Sequence, residues 1–276
     1  MCCTQLCSFT LSLVFENFTN IQNVTLSISI AMPLYNEADG IAETLQKIDK
    51  AFLNTEYELR IFLQDDVSTD DSCKVVNDIS KNLRTKISIE QNLINMGHGP
   101  TTQRAYTRAA LSNSDYVMQL DSDGQFKASE LPDLVRSISS FKPITLGVRK
   151  NRTDPWYRKL LTLTLRLFVL IFGRCRSSDP NSPVRVYKTD VLKGLLVKLP
   201  EKSLTPNIYL TILASDAKIP LTTKIVTHTI RSGNDSQGTM WRNSKQLDFI
   251  IPRKLLTFSF RAFRDLSQFL KNRKRG

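Results

Sequence analysis

Asp115-Tyr-Val-Met-Gln-Leu-Asp121-Ser-Asp123-Gly-Gln125 reads as a short buried strand, Asp115–Leu120, that ends abruptly on a run of oxygen-bearing side chains. Outward from it the same grammar repeats. Leu26–Met32 (LSISIAM), Glu58–Gln64 (ELRIFLQ) and Lys86–Gln91 precede it as strand candidates, and Pro143–Val148 (PITLGV) follows. Between the first two, Ile41, Leu45, Ile48 and Phe52 recur with the period of one helical face. A second helix turns Val75, Val76, Ile79 and Leu83 inward, and a glycine turn at Asn95–Gly99 opens a third that runs to about Ser112. Strands alternating with helices of this length predict an α/β fold with a mostly parallel sheet.

In an open parallel sheet, ligands bind beyond the carboxyl ends of the strands. The first strand ends in Pro33-Leu34-Tyr35-Asn36-Glu37, the second in Asp65-Asp66-Val67-Ser68-Thr69-Asp70, and the fourth in Asp121-Ser122-Asp123-Gly124-Gln125. Three acidic clusters are thus expected on one edge. Ser68, Thr69 and Asp70 fit an ordinary helix start. The converging carboxylates, however, would repel one another unless a cation or hydrogen-bond donors lay among them. Asp121, Asp123 and Gln125 form an oxygen-only set suited to a hard divalent ion, Mg2+ or Mn2+, which also binds phosphate oxygens.

The series PLYNE (33–37), QDDVSTDD (64–71), NMGHGPTTQRA (95–105), LDSDGQF (120–126) and GVR (147–149) resembles, in order and spacing, the family 2 glycosyltransferases with a GT-A fold. Within them it is most similar to the dolichol- and polyprenyl-phosphate sugar transferases, over about Ile28 to Ile251. The resemblance implies a nucleotide-sugar donor held by Pro33, Tyr35 and Glu37 around base and ribose. Asp66 would hydrogen-bond the base with Asp65 behind it, and Asp121 and Ser122 would also line the nucleotide. Asp121, Asp123 and Gln125 would hold the metal on the diphosphate, with Asp123 essential to catalysis and Arg231 a further diphosphate contact. Asn95, Gly97 and Gly99 match the family's turn, whose plainer reading is backbone at positive φ; His98 is given no role. The family's glycine followed by Ser-Lys is missing after Arg231, where Ser232–Gly238 stands instead, so the loop's second cation is either missing or supplied by Arg242 or Lys245. Pro183 stands where the family commonly has glycine.

The resemblance also points to Arg149 and Arg158 as contacts of an acceptor phosphate, a role that guanidinium forks suit. A phosphate monoester, with a second pKa of about 6, is mostly a dianion at neutral pH. It needs cations to position it, whereas a hydroxyl acceptor needs a general base. Related enzymes acting on hydroxyls place that base near the segment Ser203–Leu213, which here contains no carboxylate. The expected reaction is inverting, metal-dependent transfer of a hexose to a polyprenyl phosphate. A saccharide hydroxyl in a cell-surface polymer is the alternative acceptor.

Charge divides the 276 residues unevenly. Residues 1–140 hold 11 Lys and Arg against 18 Asp and Glu, and residues 141–276 hold 27 against 8. A cation partner is expected in the first half and an anion partner in the second. At 41% hydrophobic and 23% charged the chain is neither disordered nor fibrous. Trp156–Phe172 contains Arg158, Lys159 and Arg166, so it reads as an amphipathic helix at a membrane interface, or else as an ordinary buried helix. From Leu256 onward, Phe260, Phe263, Leu266 and Leu270 share one helical side, with Lys254, Arg261, Arg264, Lys271 and Arg275 on the other. Peripheral attachment to the inner, cytoplasmic face of a membrane is the expectation. A non-catalytic membrane or nucleic-acid binder would leave the acidic edge without a task, so no nucleic-acid partner is expected.

Five cysteines without a CxxC pair indicate neither zinc nor a disulfide framework. Residues 1–25 read as a poorly specified leader, 26–251 as the transferase domain (nucleotide half 26–148, acceptor half 149–251), and 252–276 as the basic C-terminal helix. Oligomeric state is not legible.

Overall fold

The computed structural model describes residues 25–150, 156–173, 179–229, 231 and 253–273. Seven strands form one sheet: β1 (Leu26–Leu34), β2 (Tyr57–Asp65), β3 (Lys86–Gln91), β4 (Tyr116–Gln119), β5 (Ile144–Lys150), β6 (Arg185–Lys188) and β7 (Leu221–Thr227), in the order β3-β2-β1-β4-β6-β5-β7. All neighbours pair in parallel except β6, which runs antiparallel to both β4 and β5. In the β4–β6 ladder Gln119 faces Arg185.

Helices cover both faces. On one lie α1 (Ile41–Phe52), α2 (Ser72–Ser80) and α4 (Leu131–Arg136). There Ile41, Leu45, Ile48 and Phe52 pack against Ile28, Ile30, Met32 and Leu34. The four helix side chains contribute about 2 kcal/mol each by leaving water. Val76 of α2 is buried, while Val75, Ile79 and Leu83 are partly buried against the same cluster. On the other face lie α3 (His98–Leu111), α5 (Trp156–Phe172), α6 (Thr189–Leu196), α7 (Pro206–Asp216) and α8 (Arg253–Arg273). Small residues let α3 lie close to the sheet, with Ala105, Ala109 and Ala110 over Ala31. β1 is thereby buried on both sides from Ile28 onward, Ser29 included, whose hydroxyl is bonded to those of Ser112 and Ser114.

Strands β6 and β7 carry no apolar run and were not anticipated. Arg185, a charged side chain, has no exposed surface. β7 is an edge strand whose one buried residue is Val226.

The apolar side expected for α8 needs correction. On α8, Leu266 and Leu270 are buried and Phe269 packs edge-on against Tyr209, but Phe260 is 72% exposed. With 3.6 residues per turn, a face centred on Leu266 reaches Phe269 and Phe263 at about 60° either side and leaves Phe260 at about 120°. Leu256 and Lys254 lie outside the described side chains. On α5 the inward face is Leu161, Leu165, Phe168 and Val169, yet the outward face is also apolar: Leu160, Leu163, Leu167, Leu170 and Ile171 are exposed. The helix is neither simply buried nor polar on its outer side.

Candidate active site

The carboxyl ends of β1, β2 and β4 meet at one rim. After β1, Asn36 turns the chain at φ 52° and is clamped by the neighbouring loop: its N–H donates to Ser68 Oγ (2.9 Å), and its Oδ1 accepts from Thr69 N–H (2.8 Å). Pro33 is buried within β1 and Tyr35 is 37% exposed on the rim. Glu37 N–H donates to Ser72 Oγ (2.8 Å), while the Glu37 carboxylate, nearly buried, pairs with Arg231 from beyond β7. Burial pushes the Glu37 carboxyl up to about 7 against the opposing pull of Arg231.

After β2, Asp65 accepts from Ser68 N–H (3.0 Å) and Gln91 Nε2 (2.8 Å). Asp66 accepts three donors, Asn92 Nδ2 (2.8 Å), Met96 N–H (2.7 Å) and Gly97 N–H (2.8 Å). It therefore pins the turn that starts α3. Gly97 requires its glycine for conformation, at φ 83°. Gly99 has another reason, since a Cβ there would sit 2.3 Å from the Leu204 carbonyl oxygen. Positive φ therefore accounts for Gly97 only, and close helix–loop packing accounts for Gly99.

The turn carries His98 toward β4, placing Nε2 3.8 Å from Asp121 Oδ1. Asp123 is half-buried; burial first, and then the charge of Asp121, push its carboxyl up to about 6. The Gln125 N–H, Arg231 and His98 oppose that rise. Ser122 is buried and Gly124 sits at φ 68°. The loop is tied to the end of β7, where Thr229 Oγ1 donates to the Gly124 carbonyl (3.0 Å). The Thr227 N–H and Oγ1 both donate to Glu130 (2.8 Å each). With His228 Nδ1 3.1 Å from the Gln125 carbonyl, Glu130, His228 and Thr229 thus bring Arg231 to the rim.

Among the described residues no group of three or more His, Cys, Asp or Glu side chains is arranged to hold a metal ion. The residues present nevertheless fit one, because the Asp121 charge lies close enough to raise the cost of ionising Asp123. Gln125 adds an amide oxygen to the same turn, and further ligands would come from a bound diphosphate.

On the acceptor side, Arg149 donates from Nε and Nη2 to Asp179 Oδ2 (3.0 Å each). The pair borders a cavity of about 210 Å3 whose walls come from α5, α7 and α8, including Leu161, Leu165, Ile208, Phe263 and Leu266. Arg158 lies in the first turn of α5, and its side chain falls outside the described residues. The segment from Ser232 onward, with Arg242 and Lys245, also falls outside. The first turn of α7 holds no acidic residue. The carboxylate that does approach it, Asp265 of α8, is engaged by the Tyr209 hydroxyl (2.7 Å).

Comparison with known proteins places this rim in context. Undecaprenyl-phosphate 4-deoxy-4-formamido-L-arabinose transferase of Pseudomonas fluorescens is 26% identical over 217 residues, 78% of this chain and 61% of that protein. The Proteus mirabilis enzyme of the same name is 24% identical over 176 residues, 61% of this chain and 51% of its own length. The chain thus spans only about half to three-fifths of these relatives. Among solved structures, glucosyl-3-phosphoglycerate synthase of Mycobacterium tuberculosis, in complex with Mn2+, uridine-diphosphate-glucose and phosphoglyceric acid, superposes with a TM-score of 0.61 at 16% identity. It covers 89% of this chain and 80% of that one. Mannosyl-3-phosphoglycerate synthase of Rubrobacter xylanophilus gives 0.59 at 15% identity, covering 91% and 76%. These likenesses are of fold, and the fold is the GT-A arrangement. The sequence profile described as Glycosyl transferase family 2 matches residues 29–190, which includes every strand end of the acidic rim, and the chain belongs to that family.

Proposed function

We propose that the protein transfers a hexose, with inversion, from a nucleotide-sugar to a polyprenyl phosphate at a membrane surface. The observation that carries this reading is the arc of charge along the rim. It runs from Asp66 through the Gly97–His98 turn to Asp121 and Asp123, and on through Arg231 to Glu37. A donor's base and ribose would lie against Pro33, Tyr35, Glu37 and the Asp65–Asp66 corner, and its diphosphate would lie beside Ser122 and Arg231. Asp121, Asp123 and Gln125 would hold Mg2+ or Mn2+, which when bound offsets the charge growing on the departing nucleoside diphosphate. Glu37 keeps the Arg231 guanidinium at the rim, where its charge is available to that same diphosphate.

For the acceptor, Asp179 fixes the Arg149 fork at the border of an apolar cavity, a combination suited to a phosphate on a hydrocarbon chain. Arg158 is assigned to the same phosphate by family resemblance. The exposed apolar stripe of α5 and the basic Arg261, Arg264 and Lys271 of α8 support contact with an anionic lipid surface. Among the described residues no helix is long and apolar enough to cross a membrane. The names of the relatives agree with a polyprenyl-phosphate acceptor.

Purified protein incubated with Mg2+ or Mn2+, a panel of nucleotide-sugars and either a polyprenyl phosphate or an oligosaccharide separates the readings. Lipid-linked sugar is the expected product. Product on the oligosaccharide alone would move the acceptor to a saccharide hydroxyl, and no product with any donor would overturn the assignment.

A further inference from the structure

Beneath the acidic rim, Asp121 is held by a chain of buried amides to which the reaction above gives no task. Gln119, fully buried at the end of β4, donates from Nε2 to Asp121 Oδ1 (3.0 Å). Its own Oε1 accepts from Asn207 Nδ2 (3.1 Å), and Asn207 Oδ1 accepts from the Tyr106 hydroxyl (2.9 Å). The Asn207 carbonyl accepts from Arg185 Nη1 (2.9 Å). Arg185 also donates to the carbonyls of Ser182 (2.8 Å) and Pro180 (3.1 Å), in the loop whose Asp179 holds Arg149.

We propose that Gln119 and Asn207 are positioning residues that fix the orientation of the Asp121 carboxylate toward a bound divalent ion, and that they tie it to the acceptor-side loop through Arg185. The inference rests on the reading of Asp121 as a metal ligand. Its physical basis is the one-way order of the chain. A reversed Gln119 amide would oppose two oxygens at Asp121 and two NH2 groups at Asn207, so each link dictates the next. Without the Gln119 donor, the carboxylate keeps its charge but loses the partner that selects its rotamer. Outer partners of this kind typically change metal affinity by 10–100-fold.

The test is Mn2+ binding, followed by electron paramagnetic resonance on the full chain, for the wild type, Asp121→Ala, Gln119→Met, Asn207→Leu and the last two combined. Circular dichroism melts check that each variant folds. The wild type should bind Mn2+ and Asp121→Ala should not. Gln119→Met should weaken binding about tenfold, and the double variant should be no worse than Gln119→Met because both cut the same chain. If Gln119→Met does not fold, Asn207→Leu decides alone, and a loss of about threefold or more is expected. Folded variants that stay within about twofold of the wild type, or losses that simply add, would overturn the inference while leaving the metal reading intact. A wild type that binds no Mn2+, whether alone or with a nucleoside diphosphate present, would overturn both.

Discussion

Val67 occupies the left-handed region at φ 63°, where a β-branched side chain is a true outlier. It directly follows Asp66, and the strain, about 1–3 kcal/mol for such residues, is stored beside the proposed nucleotide corner. Val67→Gly is therefore expected to raise stability by about 1 kcal/mol after glycine's entropic cost, read by urea denaturation. A loss of stability would mean that the half-buried side chain's packing outweighs the relief. Glu37 sets a pH dependence. Its carboxyl binds a proton more tightly when folded, about 7 against 4.5, so the folded state gains relative to the unfolded one at low pH. The contribution is complete below 4.5 and lost as pH rises through about 7. In Glu37→Gln the fall in stability across that window should be shallower, by at most about 3 kcal/mol in total. An unchanged slope would show that the carboxyl is not desolvated as described. Neither Val67's strain nor the pairing of Glu37 with Arg231 could be read from residue order, since one is a dihedral and the other joins positions 194 apart.

Helix α3 shows how an element can be located correctly and still be misjudged in its reason for being. The Asn95–Gly99 turn and the run to about Ser112 mark its limits, but the contact that demands Gly99 comes from Ser203 and Leu204, a hundred residues away. Gly99→Ala should cost about 2–3 kcal/mol and loosen the turn held by Asp66, because backbone rather than a movable side chain opposes the new methyl. Gly194, exposed in the interior of α6 with nothing within 4 Å of an added Cβ, is the contrasting case. Gly194→Ala should gain about 0.5–1 kcal/mol, and paired urea melts of the two variants check both signs. Strands β1, β2 and β4 and helix α1 were legible because burial left long apolar or periodic signatures. β6 was not, because its buried residues include an arginine paid for by carbonyls and hydroxyls rather than by apolar neighbours. The rim's carboxylates were marked by the motifs. Gln119 and Asn207 beneath them were not, since a buried amide carries no local signal.

At the scale of the whole molecule, the charge asymmetry and the apolar outer stripe of α5 make a joint claim about where the protein works. Leu163→Glu with Leu167→Glu, two exposed positions on that stripe, should abolish sedimentation with anionic vesicles while leaving the melting temperature within a few degrees. Raising the salt concentration should weaken binding of the unaltered protein, as screening removes about 1 kcal/mol per basic residue at the surface. Binding indifferent to both changes would remove the membrane from the picture. The reversed direction of β6 has a consequence for how the proposed donor and acceptor sites come to share one rim. Because that strand runs back between β4 and β5, the segment entering it, 179–184, emerges beside the outgoing end of β4, with Arg185 abreast of Gln119. Had β6 run with its neighbours, the same segment would open on the far side of the sheet, some 10 Å or more away over a four-residue strand. One strand turned head to tail would let the two proposed substrates approach each other without a second sheet or a hinged domain to carry one of them across.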